Sequence, residues 1–219
     1  MCSSDLAGNT HWRVAQFIAP FWVIPSSAML SDQIMVKGYI PMDDTHTMVI
    51  SIRRKEVVTP SRTRDGKPVP GLGTSFLPQH EFLPNTTDWF GRWRIPNNAG
   101  NDWLIDREAQ RNGGVFSGIY GLNVQDNAMG GMLGPISDRP REYLTASDVM
   151  VVRTRRKLLR LAETLAADKS ASLPGVDDVS AYRGHRAGSF VAPSEKPFRQ
   201  AYEEIVEKAT KTKVHWVES

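Results

Sequence analysis

Polar and apolar positions alternate over His11-Trp-Arg-Val-Ala-Gln-Phe-Ile18, the period of a strand with one covered face, and Pro20 and Pro25 end the run. The same period returns in Gln33–Ile40 and Thr45–Arg53, on either side of a Pro41-Met-Asp-Asp44 turn, and predicts a hairpin. Met48 and Ile50 flank Val49, so one end of the hairpin is expected to be covered on both faces. Farther along, the period changes to that of helices. Asn101 or Asp102 can cap a helix running to about Asn112, with Gly113-Gly114 as its stop. Ser147-Asp148 caps a long helix through about Ala167, whose Val151, Val152, Leu158, Leu159, Ala162 and Leu165 form an apolar stripe suited to lying across a sheet. A shorter amphipathic helix carries Phe198, Tyr202, Ile205, Val206 and Ala209, with Ser194 as a possible cap, and a frayed tail is expected from Lys208. Strands followed by helices predict an α+β fold.

Between these groups, Val57–Asn98 is rich in Pro, Gly, Arg and Thr. A connection of that length is uncommon unless it is functional or mobile, and Trp89, Phe90 and Trp93 are expected to pin it to the body. Gly71-Leu-Gly73 lacks the third glycine and the flanking strand and helix of a dinucleotide loop, and is set aside.

Composition narrows the partners. At 219 residues, 40% hydrophobic and 23% charged, the chain is of ordinary globular make-up. No apolar run reaches the length of a membrane span and the start lacks signal-peptide features, which makes a cytoplasmic protein the default and leaves no reason to expect a membrane partner. The net charge of +3 comes largely from Arg53-Arg-Lys55 and Arg153-Thr-Arg-Arg-Lys157. Neither run is interleaved with aromatics, so solvated faces are expected and nucleic acid is not. Cys2 is the sole cysteine, which excludes a disulfide, a cysteine zinc site and an iron–sulfur cluster within this sequence. His11, His46, His80, His185 and His215 are scattered, without a pair at the spacing that sets two imidazoles on one metal.

Asp126 is the carboxylate that asks for an explanation. It sits within Gly118-Ile-Tyr-Gly-Leu-Asn-Val-Gln-Asp-Asn-Ala-Met-Gly-Gly-Met-Leu-Gly134, among glycines, methionines and branched aliphatics, where an unpaired charge is expensive to bury. Three readings stand side by side. Asp126 could cap a helix starting at Asn127, be a buried acid with a raised pKa, or be a hard oxygen ligand for a metal.

Four blocks carry a resemblance. Asn101-Asp-Trp-Leu-Ile-Asp-Arg-Glu-Ala-Gln110, Phe116-Ser-Gly-Ile-Tyr-Gly121, Gln125-Asp-Asn-Ala-Met129 and Gly134-Pro-Ile-Ser-Asp-Arg139 occur in the order found late in the catalytic domain of Rieske-type ring-hydroxylating oxygenases. The chain resembles most the branch with phthalate dioxygenase, phenoxybenzoate dioxygenase and aryl O-demethylases. Leu173-Pro-Gly-Val-Asp-Asp178 and Ala181-Tyr-Arg183 extend the likeness to about residue 205.

The resemblance implies a helix-grip fold, in which a long helix closes a curved antiparallel sheet. It implies that Asp126 is the carboxylate of a site with two histidines and one carboxylate for Fe(II). Asn123 and Gln125 are candidates for hydrogen bonds behind that ligand, with local turn bonds as their bland alternative; Met129, Ile119 and Phe17 are candidates for the substrate pocket. It further implies an aromatic acid substrate, dioxygen, a reductase or ferredoxin as electron donor, a two-iron two-sulfur Rieske cluster, and a homotrimer. Two departures touch the site: Gly130-Gly131 stands where relatives more often carry larger polar residues, and Val124 separates Asn123 from Gln125.

Asp106 and Arg107 match the family, yet an ion pair within the fold would explain them equally. The cluster ligands and the two iron histidines have no counterpart in this sequence. Residues 1–9 are expected to be a non-native or disordered start, since their letters match one frame of a common sequencing-library adapter. Residues 10–169 would form a partial catalytic domain, incomplete at its N-terminus, and 170–219 a C-terminal extension. The expectation is a fragment of an oxygenase, inactive alone. The alternatives are a non-catalytic helix-grip module for an apolar ligand and a catalytic half completed by a second polypeptide.

Overall fold

The structure, a computed structural model, describes residues 2–32, 35–54, 67, 82–173 and 176–216. The chain divides into two compact units, one of Met1–Arg54 with Tyr143–Ser219 and the other of Lys55–Glu142. Its composition is α+β, with antiparallel sheets, helices and a helix near the C-terminus, as expected.

The first unit holds two sheets. In the three-stranded sheet, β2 (Asn9–Val14) lies between β1 (Cys2–Leu6) and β7 (Gly188–Pro193), antiparallel to both. The opening residues, set aside above, therefore have a strand's structure, joined to β2 through Ala7 and Gly8, both with positive φ as a tight hairpin requires. The four-stranded sheet has the order β3 (Gln16–Ile18), β4 (Trp22–Ile24), β5 (Met35–Pro41) and β6 (Thr47–Arg53). The expected single strand over His11–Ile18 is thus divided at Ala15 between two sheets. The β5–β6 hairpin forms as its turn chemistry dictates: the Asp43 carboxylate accepts the backbone N–H groups of Thr45 and His46, both at 2.7 Å.

The core of this unit lies under the smaller sheet. Val14, Leu30, Phe190 and Ala192 meet Ala201, Tyr202 and Val206 of α4 (Phe198–Thr210), with Trp12 and Phe198 at the margin. The helical spacing of Phe198, Tyr202, Ile205 and Val206 was legible, although Pro197 and not Ser194 occupies the cap position. Tyr202 is fully buried and its hydroxyl is bonded three ways. It donates to the Arg186 carbonyl at 2.6 Å and accepts from the Arg186 N–H at 2.7 Å and from the Gln16 amide at 3.2 Å. One phenol thereby fastens α4 to the approach to β7 and to the start of β3.

Several expectations are corrected. The tail does not fray at Lys208: α4 continues to Thr210, and Val214 and Trp216 pack against the α4 core. Trp216 lies beside Tyr202 at 5.8 Å and beneath the Arg199 guanidinium at 4.7 Å, an aromatic and cation–π seat that the sequence pattern did not reveal. The helix expected to close the sheet, α3 (Val149–Ala167), forms with its predicted bounds, but Leu161 is its only buried residue and Leu159 is 62% exposed. The sheet is not closed. Val49, expected to be covered, is 48% exposed.

In the second unit, most of the long connection lies outside the described residues. Phe82 and Trp93 meet edge-on at 5.7 Å, yet Trp89 is 77% and Trp93 62% exposed, so neither indole is pinned as expected. Instead of one helix over 101–112 there is a 3-10 segment, Ala99–Leu104, then α1 (Arg107–Arg111) capped by Asp106. The second longer helix, α2 (Leu122–Gly131), follows. Among the described residues no helix is long and apolar enough to cross a membrane.

Removing the Tyr202 hydroxyl strands the Arg186 N–H and carbonyl, so Tyr202→Phe is expected to cost about 1–3 kcal/mol in urea unfolding. Burial raises the Tyr202 phenol above its ordinary value near 10.0. The unfolded chain then ionises first. The hydroxyl's contribution is whole below about pH 10 and is lost as pH climbs towards the raised folded value, so the gap between wild type and Tyr202→Phe narrows above that pH. A gap independent of pH would contradict this account.

Candidate functional site

The Asp126 helix is seated by a small apolar cluster. Val124 and Ala128, four residues apart on one face of α2, pack with Ile119, and Trp103 and Ile105 complete the contact. Two local features bring these groups together. Asp102, Trp103 and Leu104 all take left-handed backbone conformations, with φ of 51°, 56° and 53°. Such a run costs roughly 1–2 kcal/mol per residue and breaks the helix that the pattern of 101–112 suggests. Asn98 and Asn97 hold it: the Trp103 N–H donates to the Asn98 carbonyl at 2.9 Å, and the Asn97 amide donates to the Trp103 carbonyl at 2.7 Å. The consequence is that the Trp103 indole reaches Gly131 at the far end of α2, where any Cβ would collide with the ring. This contact is a physical reason for the small residue at 131, one of the two departures from the family pattern.

At the near end, Gly118 has φ of +69°, and an added Cβ would stand 2.7 Å from the Asp106 carbonyl oxygen and from the Ile105 side chain. The Asp106 N–H donates to the Gly118 carbonyl at 2.8 Å. Asp106 also caps α1 by accepting the Ala109 N–H at 2.8 Å, and Arg107 pairs with Asp102 at 2.5 Å. Both residues of the family-like block thus serve the local structure that carries α2.

Asp126 lies inside α2, not at its start. Gly121 occupies the cap position, so the reading of Asp126 as a helix cap is overturned: the helix begins five residues earlier than Asn127, and Val124 in its first turn joins Ala128 on the buried apolar face. The carboxylate is exposed, and among the described residues it has no hydrogen-bond or ion-pair partner. It projects opposite Val124 and Ala128, on the face it shares with Leu122 and Met129, four residues before and three after. Met129 is 69% exposed, and Met132, Leu133 and Ile136 beyond it are exposed as well. Among the described residues, Asp126 thus lies beside the exposed Met129, with the polar Asn123 on the same side of α2.

The remaining candidates divide. Gln125 donates to the Ile119 carbonyl at 2.8 Å, which is the local bond weighed against a role behind a ligand. Ile119 is buried in the cluster beneath α2, and Asn123 is half-buried with an interaction of its own. Phe17 is 37% exposed on β3 and belongs to the other unit. Trp103, an apolar residue within a family-like block, decides how α2 sits.

Asp126 fits the carboxylate of an iron site in charge and in hardness. It is one donor of three. Among the described residues no three His, Cys, Asp or Glu side chains gather as a metal site. His11, His46, His185 and His215 all belong to the other unit, and His80 lies outside the described residues. The donors among the described residues do not complete the site.

Comparison with known proteins agrees with the motif resemblance. The family profile described as "LigXa C-terminal domain like" matches residues 4–217. The chain is 39% identical over 204 residues to the 3-chlorobenzoate-3,4-dioxygenase oxygenase subunit of Comamonas testosteroni, covering 91% of this chain and 46% of that protein. It is 36% identical over 168 residues to the phthalate 4,5-dioxygenase oxygenase subunit of Pseudomonas putida, covering 76% of this chain and 35% of that protein. The chain therefore spans less than half the length of these relatives. With nearly its whole length matched and the four motif blocks in order, it belongs to the LigXa C-terminal domain like family and is akin to the oxygenase subunits of aromatic-ring dioxygenases.

Proposed function

We propose that this chain is the part of an aromatic-ring oxygenase subunit that supplies the carboxylate of a mononuclear Fe(II) site, and that Asp126 is that carboxylate. The observation that carries the reading is the position of Asp126: an exposed acid with no partner among the described residues, beside Met129 on α2, in the family's Gln-Asp block. No described residue neutralises this charge, which suits a group reserved for a cation. The two imidazoles and the two-iron two-sulfur Rieske cluster would come from a portion outside these 219 residues. Met129, sharing the Asp126 face, is the proposed neighbour of the substrate.

Both relatives are named for aromatic carboxylates, so the substrate class proposed is an aromatic acid, with dioxygen as co-substrate. The complete oxygenase would hydroxylate the ring or remove an O-methyl group in the cytoplasm. It would draw electrons from a reductase or ferredoxin through the Rieske cluster and assemble as a homotrimer. Bound iron supplies dioxygen activation; the part assigned to this chain is to hold the metal by one oxygen donor and to wall the adjoining space.

Two measurements test the site. The 219-residue chain, loaded anaerobically with Fe(II) and desalted, is expected to keep far less than one equivalent, because a lone carboxylate binds weakly; stoichiometric iron would contradict the missing-ligand reading. Asp126→Ala is expected to change unfolding stability by no more than about 0.5 kcal/mol, as at other unpaired exposed positions. In a chimera joining this chain to the portion of the 3-chlorobenzoate-3,4-dioxygenase oxygenase subunit that the match does not cover, the same substitution is expected to lower iron affinity by about tenfold or more. A chimera that retains its iron after Asp126→Ala would remove Asp126 from the site.

A further inference from the structure

The cations of α3 (Val149–Ala167) gather on one side of the helix. Val149, Met150, Arg153, Arg156, Lys157 and Arg160 follow the three-and-four spacing that sets residues one above another on a helix, and all six are exposed. The run expected from the sequence to be a solvated face is therefore a single stripe, with an apolar end where Val149 and Met150 are 47% and 51% exposed. Arg155 lies off the stripe and has an interaction of its own, and Leu161, the buried residue of α3, also lies outside it. Arg153, Arg156, Lys157 and Arg160 have no hydrogen-bond or ion-pair partner among the described residues, and neither has Glu163, the helix's only acid. The pattern works against the helix itself. Arg153 stands one turn from Arg156 and Lys157, and both of these stand one turn from Arg160, so each cation of the stripe repels the next. The charge of the molecule is also concentrated here: with five cations and one acid, α3 is net +4 against +3 for the whole chain, so the 200 residues outside its 19 are together net −1.

We propose that this stripe is the docking face for an electron-donor protein that presents carboxylates to it. Charge selects an acidic partner, and side-chain type selects a protein. Arginine and methionine are enriched at protein contacts, and no aromatic side chain interleaves the cations as a single nucleic-acid strand would need. Exposed cations of this kind raise the rate of encounter with an acidic partner and orient it more than they tighten the complex, which suits a carrier that must bind, deliver and leave. The choice of an electron donor rests on the proposed function: both relatives are named as oxygenase subunits, and the proposed chemistry draws its electrons from another protein. The placement on α3 rests instead on the charge pattern of the helix.

Binding and turnover test the face separately, with the electron-donor component that serves the 3-chlorobenzoate-3,4-dioxygenase oxygenase subunit as the probe. The 219-residue chain is expected to bind the immobilised donor in about 50 mM salt and to release it in about 500 mM, as contacts between exposed charges require. Arg153→Glu, Arg156→Glu and Arg160→Glu together are expected to weaken binding about tenfold or more. The far-ultraviolet spectrum should not change, because glutamate is a good helix former and none of the three is buried. Lys208→Glu, Lys211→Glu and Lys213→Glu alter the net charge equally and are expected to leave binding within about twofold. In the chimera described above, the α3 triple is expected to raise the KM for the donor by a similar factor while bound iron is retained. An α3 triple with unchanged binding or unchanged KM, or equal effects of the two triples, would overturn the proposal. So would a chain that binds vesicles of equal parts phosphatidylcholine and phosphatidylglycerol and not the donor. A chimera without iron, beside a chain that binds the donor through α3, would count against the oxygenase reading and leave the docking face standing.

Discussion

The contact between the Trp103 indole and Gly131 settles how α2 lies, and the reading of the site depends on it. With the ring against the backbone at the helix end and Val124 and Ala128 packed with Ile119, α2 has one buried face and its opposite face is fixed. Asp126 and Met129 are on that opposite face by helical geometry alone. The cost of the left-handed run at Asp102–Leu104 is offset locally by the asparagine hydrogen bonds and by burial of part of the indole. A strained segment that aims an aromatic ring at a helix end is unlike a passive connection, and it lies within the block that most resembles the oxygenases.

The two units spend their polar groups differently. In the first, the Tyr202 hydroxyl, the Gln16 amide and the Arg186 backbone bond to one another, and the Arg186 guanidinium reaches the Leu30 and Ser31 carbonyls, both at 2.8 Å. These bonds hold α4, the start of β3 and the Leu30–Ser31 segment to the approach to β7. In the second, Asp106, Asn97 and Asn98 shape the backbone around α2, and Asp126 has no partner among the described residues.

Much of the first unit was legible because local chemistry and burial agreed there. The Asp43 turn with alternation on both sides gave the β5–β6 hairpin, and the spacing of Phe198, Tyr202 and Val206 gave α4. Where tertiary contacts override local pattern, the reading failed. Helical spacing over 101–112 did not foresee three left-handed residues, because their hydrogen bonds come from Asn97 and Asn98 outside the window. The tail was judged frayed by its charges, although Trp216 finds a ring and a guanidinium on α4. The α3 stripe has the period of a covered face, and period alone does not supply the covering surface. For the site, the Gln125-Asp126 block and its relatives were readable; that Asp126 lies within the helix and not at its cap was not, because glycine at 121 starts α2 without any side-chain signal.

The reading turns on where iron sits when the missing donors are supplied. Iron-edge anomalous diffraction from crystals of the chimera described above would locate the metal directly. The account predicts an anomalous peak at coordination distance, roughly 2 Å, from an Asp126 carboxylate oxygen. A peak held by other residues, with Asp126 turned to solvent in the complete oxygenase, would contradict it.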